Sequence, residues 1–87
     1  MKIESTHAFV KNFKRRLTNQ PEVKKKFFER VKLFISDPTS PLLKDHPLKG
    51  KKIGLRAFSI TGDVRVVYHI KGEVIYFLDI GTHNQVY

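Results

Sequence analysis

Two glycine-containing links constrain this chain more tightly than any other feature. Three runs rich in β-branched and aromatic residues, 55–60, 63–70 and 73–80, are separated only by Thr61-Gly62 and Lys71-Gly72. Such runs suit a pleated, half-buried surface, and two-residue links with glycine are the tightest hairpin connectors. The pattern predicts a three-stranded antiparallel meander. If those dipeptides are the turns, Ile60 faces Asp63, Phe58 faces Arg65 and Arg56 faces Val67. In the second hairpin Ile70 faces Glu73, Val67 faces Tyr76 and Arg65 faces Leu78. One face then carries Leu55, Ala57, Val64, Val66, Tyr68, Ile75 and Phe77, and must be covered. The other carries Arg56, Phe58, Arg65, Val67, His69, Tyr76 and Leu78. On this register Arg56 and Arg65 are diagonal neighbours on the open face, about 7–8 Å apart at the backbone.

The cover comes from the first half of the chain. Phe9, Phe13 and Leu17 recur every four residues with Val10 beside them, which defines one face of a helix over 7–17. Thr18-Asn19-Gln20-Pro21 interrupts the pattern, with Thr18 or Asn19 as N-cap and Pro21 in the first turn of a second helix. Val23, Phe27, Val31, Phe34 and Ile35 form that helix's buried stripe with Phe28 flanking, and Asp37-Pro38 ends it. A short edge strand over 2–6 precedes the pair, and a proline- and glycine-rich loop over 38–54 follows it. The expectation is a single α+β domain over 1–87, in the order β-α-α-β-β-β, with a helical hairpin on one face of an antiparallel sheet.

Charge divides the chain. Its 87 residues hold 17 Lys and Arg against 8 Asp and Glu, a formal +9, and all of the excess falls within residues 1–52. Residues 53–87 hold three of each sign: Arg56, Arg65 and Lys71 against Asp63, Glu73 and Asp79. A basic half on a neutral scaffold fits a polyanion or an acidic protein partner, and equally a solvated helix surface. Cysteine is absent, which excludes a disulfide scaffold, a zinc finger and a thiol nucleophile, and suits the cytoplasm. No apolar run approaches the roughly 18 residues of a membrane span, so no membrane partner is expected.

Arg56 and Arg65 beside exposed aromatics suit a phosphate ester with a base to stack, or else two cross-strand ion pairs with Asp63 or Glu73. The histidines at 7, 46, 69 and 83 show no metal-ligand spacing, and there is no glycine-rich nucleotide loop. The expectation is therefore no metal and no cofactor, with any catalysis resting on histidine acid–base work beside fixed cations. His7 reads as surface decoration and His69 as a structural strand residue. His46 and His83 lie in loops at the ends of the sheet, where functional groups concentrate.

Several segments together resemble the RelE/ParE toxin superfamily, nearest its RelE- and YafQ-like mRNA interferases. They are His46-Pro47-Leu48-Lys49-Gly50, Leu55-Arg56, Gly62-Asp63-Val64-Arg65-Val66-Val67-Tyr68, Ile80-Gly81-Thr82-His83 and Val86-Tyr87. The resemblance spans the whole chain. It implies a small toxin that cuts mRNA on the ribosome without metal, and a cognate antitoxin that silences it. The ribose 2′-OH attacks the adjacent phosphate, leaving a cyclic phosphate and a 5′-OH. Carried over by position, Arg65 binds the scissile phosphate, while His46, Asp63 and His83 match acid–base positions. Tyr87 matches the family's C-terminal aromatic. Arg56, Lys24, Lys25, Lys26, Lys49, Lys51 and Lys52 are the expected RNA-contacting cations.

Three positions depart from the family. YafQ-like members have a histidine where this chain has Ser59 and an arginine where it has Asp79; RelE-like members have a lysine where it has Phe58. On the register above, Asp79 points away from the phosphate face. Two other readings stay open: a ParE-like toxin that inhibits DNA gyrase without nuclease chemistry, and a degenerate member that binds antitoxin but does not cut.

Overall fold

The structure, a computed structural model, describes residues 2–87. The chain runs β1 (Lys2–Ser5), α1 (His7–Leu17), α2 (Pro21–Ser36), β2 (His46–Pro47), β3 (Arg56–Ser59), β4 (Val64–Lys71), β5 (Val74–Thr82) and α3 (His83–Val86). The expected order is present, with the two-residue β2 and the one-turn α3 added to it. One five-stranded sheet forms in the order β1-β5-β4-β3-β2. It is mixed rather than wholly antiparallel, because β1 lies parallel to β5. The chain leaves β1 through both helices, enters the sheet at the far edge, and the meander brings β5 back alongside β1. Among the described residues no helix is long and apolar enough to cross a membrane.

Thr6 caps α1 by accepting from the Phe9 amide, while its own hydroxyl and amide donate to the Phe77 carbonyl. That junction fixes where α1 lands on β5. Pro21 opens α2 as expected, but the N-cap is Gln20 rather than Thr18 or Asn19, and no side chain caps the helix there. Phe9, Leu17, Phe27 and Phe34 are buried, and Phe34 stacks on Phe58 with centroids 4.6 Å apart. The stripe of α2 runs through Val23, Phe27, Val31 and Phe34 and leaves Ile35 outside it, 65% exposed.

Both turns lie one residue away from the sequence expectation. In the first hairpin Ile60 donates to the Val64 carbonyl, so Thr61-Gly62-Asp63 is a three-residue turn. The Thr61 hydroxyl holds it by accepting from the amides of Asp63 and Val64. In the second, Lys71 faces Val74, and Gly72 takes the left-handed φ of 61° that the tight turn demands. Beyond it, Tyr68 faces Phe77 while Val67 faces Asp79, so Leu78 is an extra residue in β5.

A slip of one residue turns a strand over. Phe58 and Ile60, not Leu55 and Ala57, face the helices from β3, together with Val64, Val66, Tyr68, Ile75, Phe77 and Ile80. Arg56 faces Tyr68 directly, with the helix-side residues, and Arg65 faces Ser59 and Gly81 on the other side. The two arginines therefore do not share a face. The outer face has a smaller core of its own, in which Leu48, Ala57, Val67 and Val86 are buried with Leu55 half-buried against them. The loop that carries Leu48 and the short α3 supply that cover.

Candidate active site

Helix α3 gathers the site. Gly81, at the end of β5, leaves the room that lets the chain turn so closely. A Cβ there would lie 2.6 Å from Gln85 Oε1 and 2.9 Å from a guanidinium nitrogen of Arg16. Gln85 Oε1 accepts from the Thr82 amide at 2.8 Å, which closes the first turn of α3. Val86 anchors the turn in the outer core, and the Tyr87 amide donates to the His83 carbonyl.

Tyr87 then sits among three of the predicted groups. Its ring meets His83 edge-on with centroids 4.5 Å apart and His46 edge-on at 6.5 Å. The guanidinium carbon of Arg65 lies 5.9 Å from the same ring centre. The Tyr87 hydroxyl is 3.4 Å from His46 Nε2, and His46 Nδ1 is 2.9 Å from the Lys44 carbonyl. A carbonyl only accepts, so Nδ1 carries the proton and Nε2 of the neutral ring presents a lone pair to the tyrosine. Burial pushes the Tyr87 phenol above its ordinary value, against the opposing charge of Arg65, so it stays an O–H donor at neutral pH.

Arg65 makes no ion pair among the described residues; its one hydrogen bond, at 3.5 Å, goes to the Asp63 carbonyl. The expected alternative of a cross-strand pair with Asp63 or Glu73 is absent there. The Asp63 side chain is exposed in the first turn, and its carboxylate makes no hydrogen bond among the described residues. Lys49, Lys51 and Lys52 border a recess of about 540 Å³ that Tyr87 and Leu48 complete. A cationic rim thus adjoins the histidine–tyrosine cluster. Lys24, Lys25 and Lys26 lie on α2, across the sheet from it.

Arg56 is engaged elsewhere. Its Nε donates to Asp45 Oδ1 at 2.8 Å, and the Tyr68 hydroxyl donates to Asp45 Oδ2. Sequence reasoning assigned Asp45 no role, because its register put Arg56 on the open face, away from this carboxylate. Phe58 is fully buried, so a lysine could not stand there unchanged. Asp79 faces Val67, an outer-face residue, so the extra residue Leu78 turns it to Arg65's side of the ladder, contrary to expectation, and it accepts from Arg16 Nη1 at 2.9 Å and Asn12 Nδ2 at 2.8 Å. Among the described residues no group of three or more His, Asp or Glu is placed to hold a metal ion.

Two helices packed on one face of a five-stranded mixed sheet are the architecture of small YafQ- and RelE-like toxins. The structure of YafQ from E. coli strain BL21(DE3) matches with a TM-score of 0.84 at 24% identity, over 99% of this chain and 97% of that one. A metal-bound toxin from Helicobacter pylori matches at 0.81 and 28% identity, over 100% and 99%. A chain of the E. coli DinJ–YafQ complex matches at 0.80 and 24%, over 99% and 97%. No curated protein matches the chain. The family described as the bacterial toxin of type II toxin-antitoxin system, YafQ, matches residues 1–87, and the chain belongs to it.

Proposed function

We propose that the protein is a metal-independent, ribosome-dependent mRNA endonuclease of the cytoplasm, silenced by a cognate antitoxin. The observation that carries this reading is the convergence of His46, His83 and Arg65 on Tyr87. In-line attack by a ribose 2′-OH needs a base for that hydroxyl, an acid for the departing 5′ oxygen, and positive charge on the phosphate between them. His46 Nε2 is the proton acceptor, directly or through the Tyr87 hydroxyl. His83, exposed and edge-on to the Tyr87 ring, protonates the leaving oxygen. The P–O5′ bond breaks as the P–O2′ bond forms, giving a 2′,3′-cyclic phosphate and a 5′-OH. Arg65 lacks a competing carboxylate and holds the charge that builds on the non-bridging oxygens. Lys49, Lys51 and Lys52 guide the strand toward the cluster. The DinJ–YafQ complex supports a protein antitoxin as the partner.

Induced expression followed by mapping of mRNA 5′ ends, with translation running and with it blocked, tests the reading. Cuts on translated messages only are expected, and His83→Ala should reduce them by about 10²–10⁴-fold, the usual worth of a positioned acid or base. DNA breaks without mRNA cuts would replace this reading with gyrase inhibition. Growth arrest without either would leave a toxin that does not cut.

A further inference from the structure

On the helix-covered side of the sheet, away from Tyr87, three cations share one recess. Helix α2 places Lys26 and Arg30 one turn apart, where like charges repel. Lys44 joins them from the loop after the 3₁₀ turn Pro41–Leu43, held at a left-handed φ of 49°. The recess measures about 420 Å³, and its lining contains no acidic residue. None of the three cations makes an ion pair among the described residues. Arg30 Nε is sealed from solvent with no hydrogen-bond partner, although a buried guanidinium N–H ordinarily has an acceptor. Lys44 also borders a second recess, about 420 Å³, whose other cation is Arg56 and whose one carboxylate, Asp45, is already taken by Arg56 and Tyr68.

We propose that Lys26, Arg30 and Lys44 form a seat for the phosphate backbone of a single RNA strand, continued past Lys44 to Arg56. Cations spread over two joined recesses match a polymer charged at every unit, and exposed Leu42 on the rim gives an apolar surface for a sugar or base. The identity of the polyanion rests on the RNA-cleaving reading above; the site itself rests on the cation geometry.

The test is anisotropy of a fluorescein-labelled, fully 2′-O-methylated RNA dodecamer, which cannot be cut by 2′-OH attack, titrated with the purified chain from 50 to 300 mM KCl. The triple variant Lys26→Gln, Arg30→Gln, Lys44→Gln is set against Lys11→Gln, Lys14→Gln, Lys32→Gln, which removes the same charge from exposed helix positions. The seat predicts an affinity loss of about tenfold or more for the first, with a log–log salt slope flatter by about 2, and less than about threefold for the second. Lys44→Gln alone, a loop residue outside the core, should lose about threefold. Equal losses in the two triples would overturn the proposal. So would hexaglutamate binding as tightly as the RNA with the same variant dependence, which would mark an acidic-peptide site. If the cluster variants bind RNA normally while His83→Ala abolishes cuts, the seat fails and the nuclease stands. If RNA affinity falls as stated while wild-type protein makes no cuts, the nuclease fails and the seat stands.

Discussion

Asp45 holds together two residues that the sequence did not connect. One carboxylate oxygen takes Arg56 Nε and the other takes the Tyr68 hydroxyl, so a loop residue ties β3 to β4. Burial is the main force that raises the Tyr68 phenol well above its ordinary value of 10, and the bond to Asp45 adds to it. A group whose folded pKa lies above its unfolded one adds stability at low pH and loses it as pH climbs past the unfolded value. Tyr68→Phe should therefore cost about 1.5–3 kcal/mol at pH 7, the range for a hydrogen bond to a charged group. The gap to wild type should narrow above pH 10, where the unfolded wild-type tyrosine ionises and the variant has nothing to ionise. Urea unfolding at pH 7 and pH 10.5 measures both gaps; an unchanged gap would mean that Tyr68 is not the buried donor described. None of this was legible beforehand. Residue types locate arginines on strands, but the face each one occupies depends on register.

Among the elements, the four longer strands and the two long helices were legible, and the two-residue β2 and the joints between elements were not. Periods of two and of about 3.6 name strands and helices, whereas Thr61-Gly62 fits a two-residue or a three-residue turn equally well. The extra residue Leu78 leaves no mark in composition. Helix α3 is a single turn, too short to show a period. It is nonetheless the element that assembles the candidate site, and its position is set from beneath. Arg16 Nη1 donates to the Ile80 carbonyl at 2.8 Å and to Asp79, whose carboxylate also accepts from the Ile80 amide at 2.8 Å. Arg16 thus braces the end of β5 just before Gly81. A methyl at Gly81 would meet Gln85 Cβ at 3.0 Å as well as Gln85 Oε1, so α3 itself must move, not only a flexible side-chain tip. Gly81→Ala should lower mRNA cutting at least tenfold while shifting thermal unfolding by only a few degrees. Full cutting in that variant would show that α3 tolerates displacement and that its exact placement does not govern the chemistry.

At the scale of the whole molecule, the sheet separates two cores with different duties. The helix side holds the aromatic core around Phe34, Phe58 and Phe77, and the outer side holds the small cluster of Leu48, Ala57, Val67 and Val86 beneath Tyr87. The +9 charge, which the sequence placed in the first half of the chain, falls on both sides of this wall. Lys49, Lys51 and Lys52 border the outer recess, and Lys26, Arg30 and Lys44 the inner one. Sequence order could assign charge to a half of the chain but not to a face, because the loop over 38–54 passes from one side of the sheet to the other. If stability and chemistry are divided in this way, two mutations of equal cost should differ in effect. Val86→Ala removes two methyl groups and Phe34→Leu removes ring contacts, each worth about 1–2 kcal/mol. Both proteins should show matching losses in urea unfolding. At a temperature where each is fully folded, Phe34→Leu should cut mRNA as wild type does, because the ring it loses packs on Phe58 and Tyr68, across the sheet from Tyr87. Val86→Ala should cut at least tenfold less, because the missing methyls let α3 settle and carry His83 and Tyr87 away from His46 and Arg65. Equal activity in the two variants would show that α3 holds its place without the outer core.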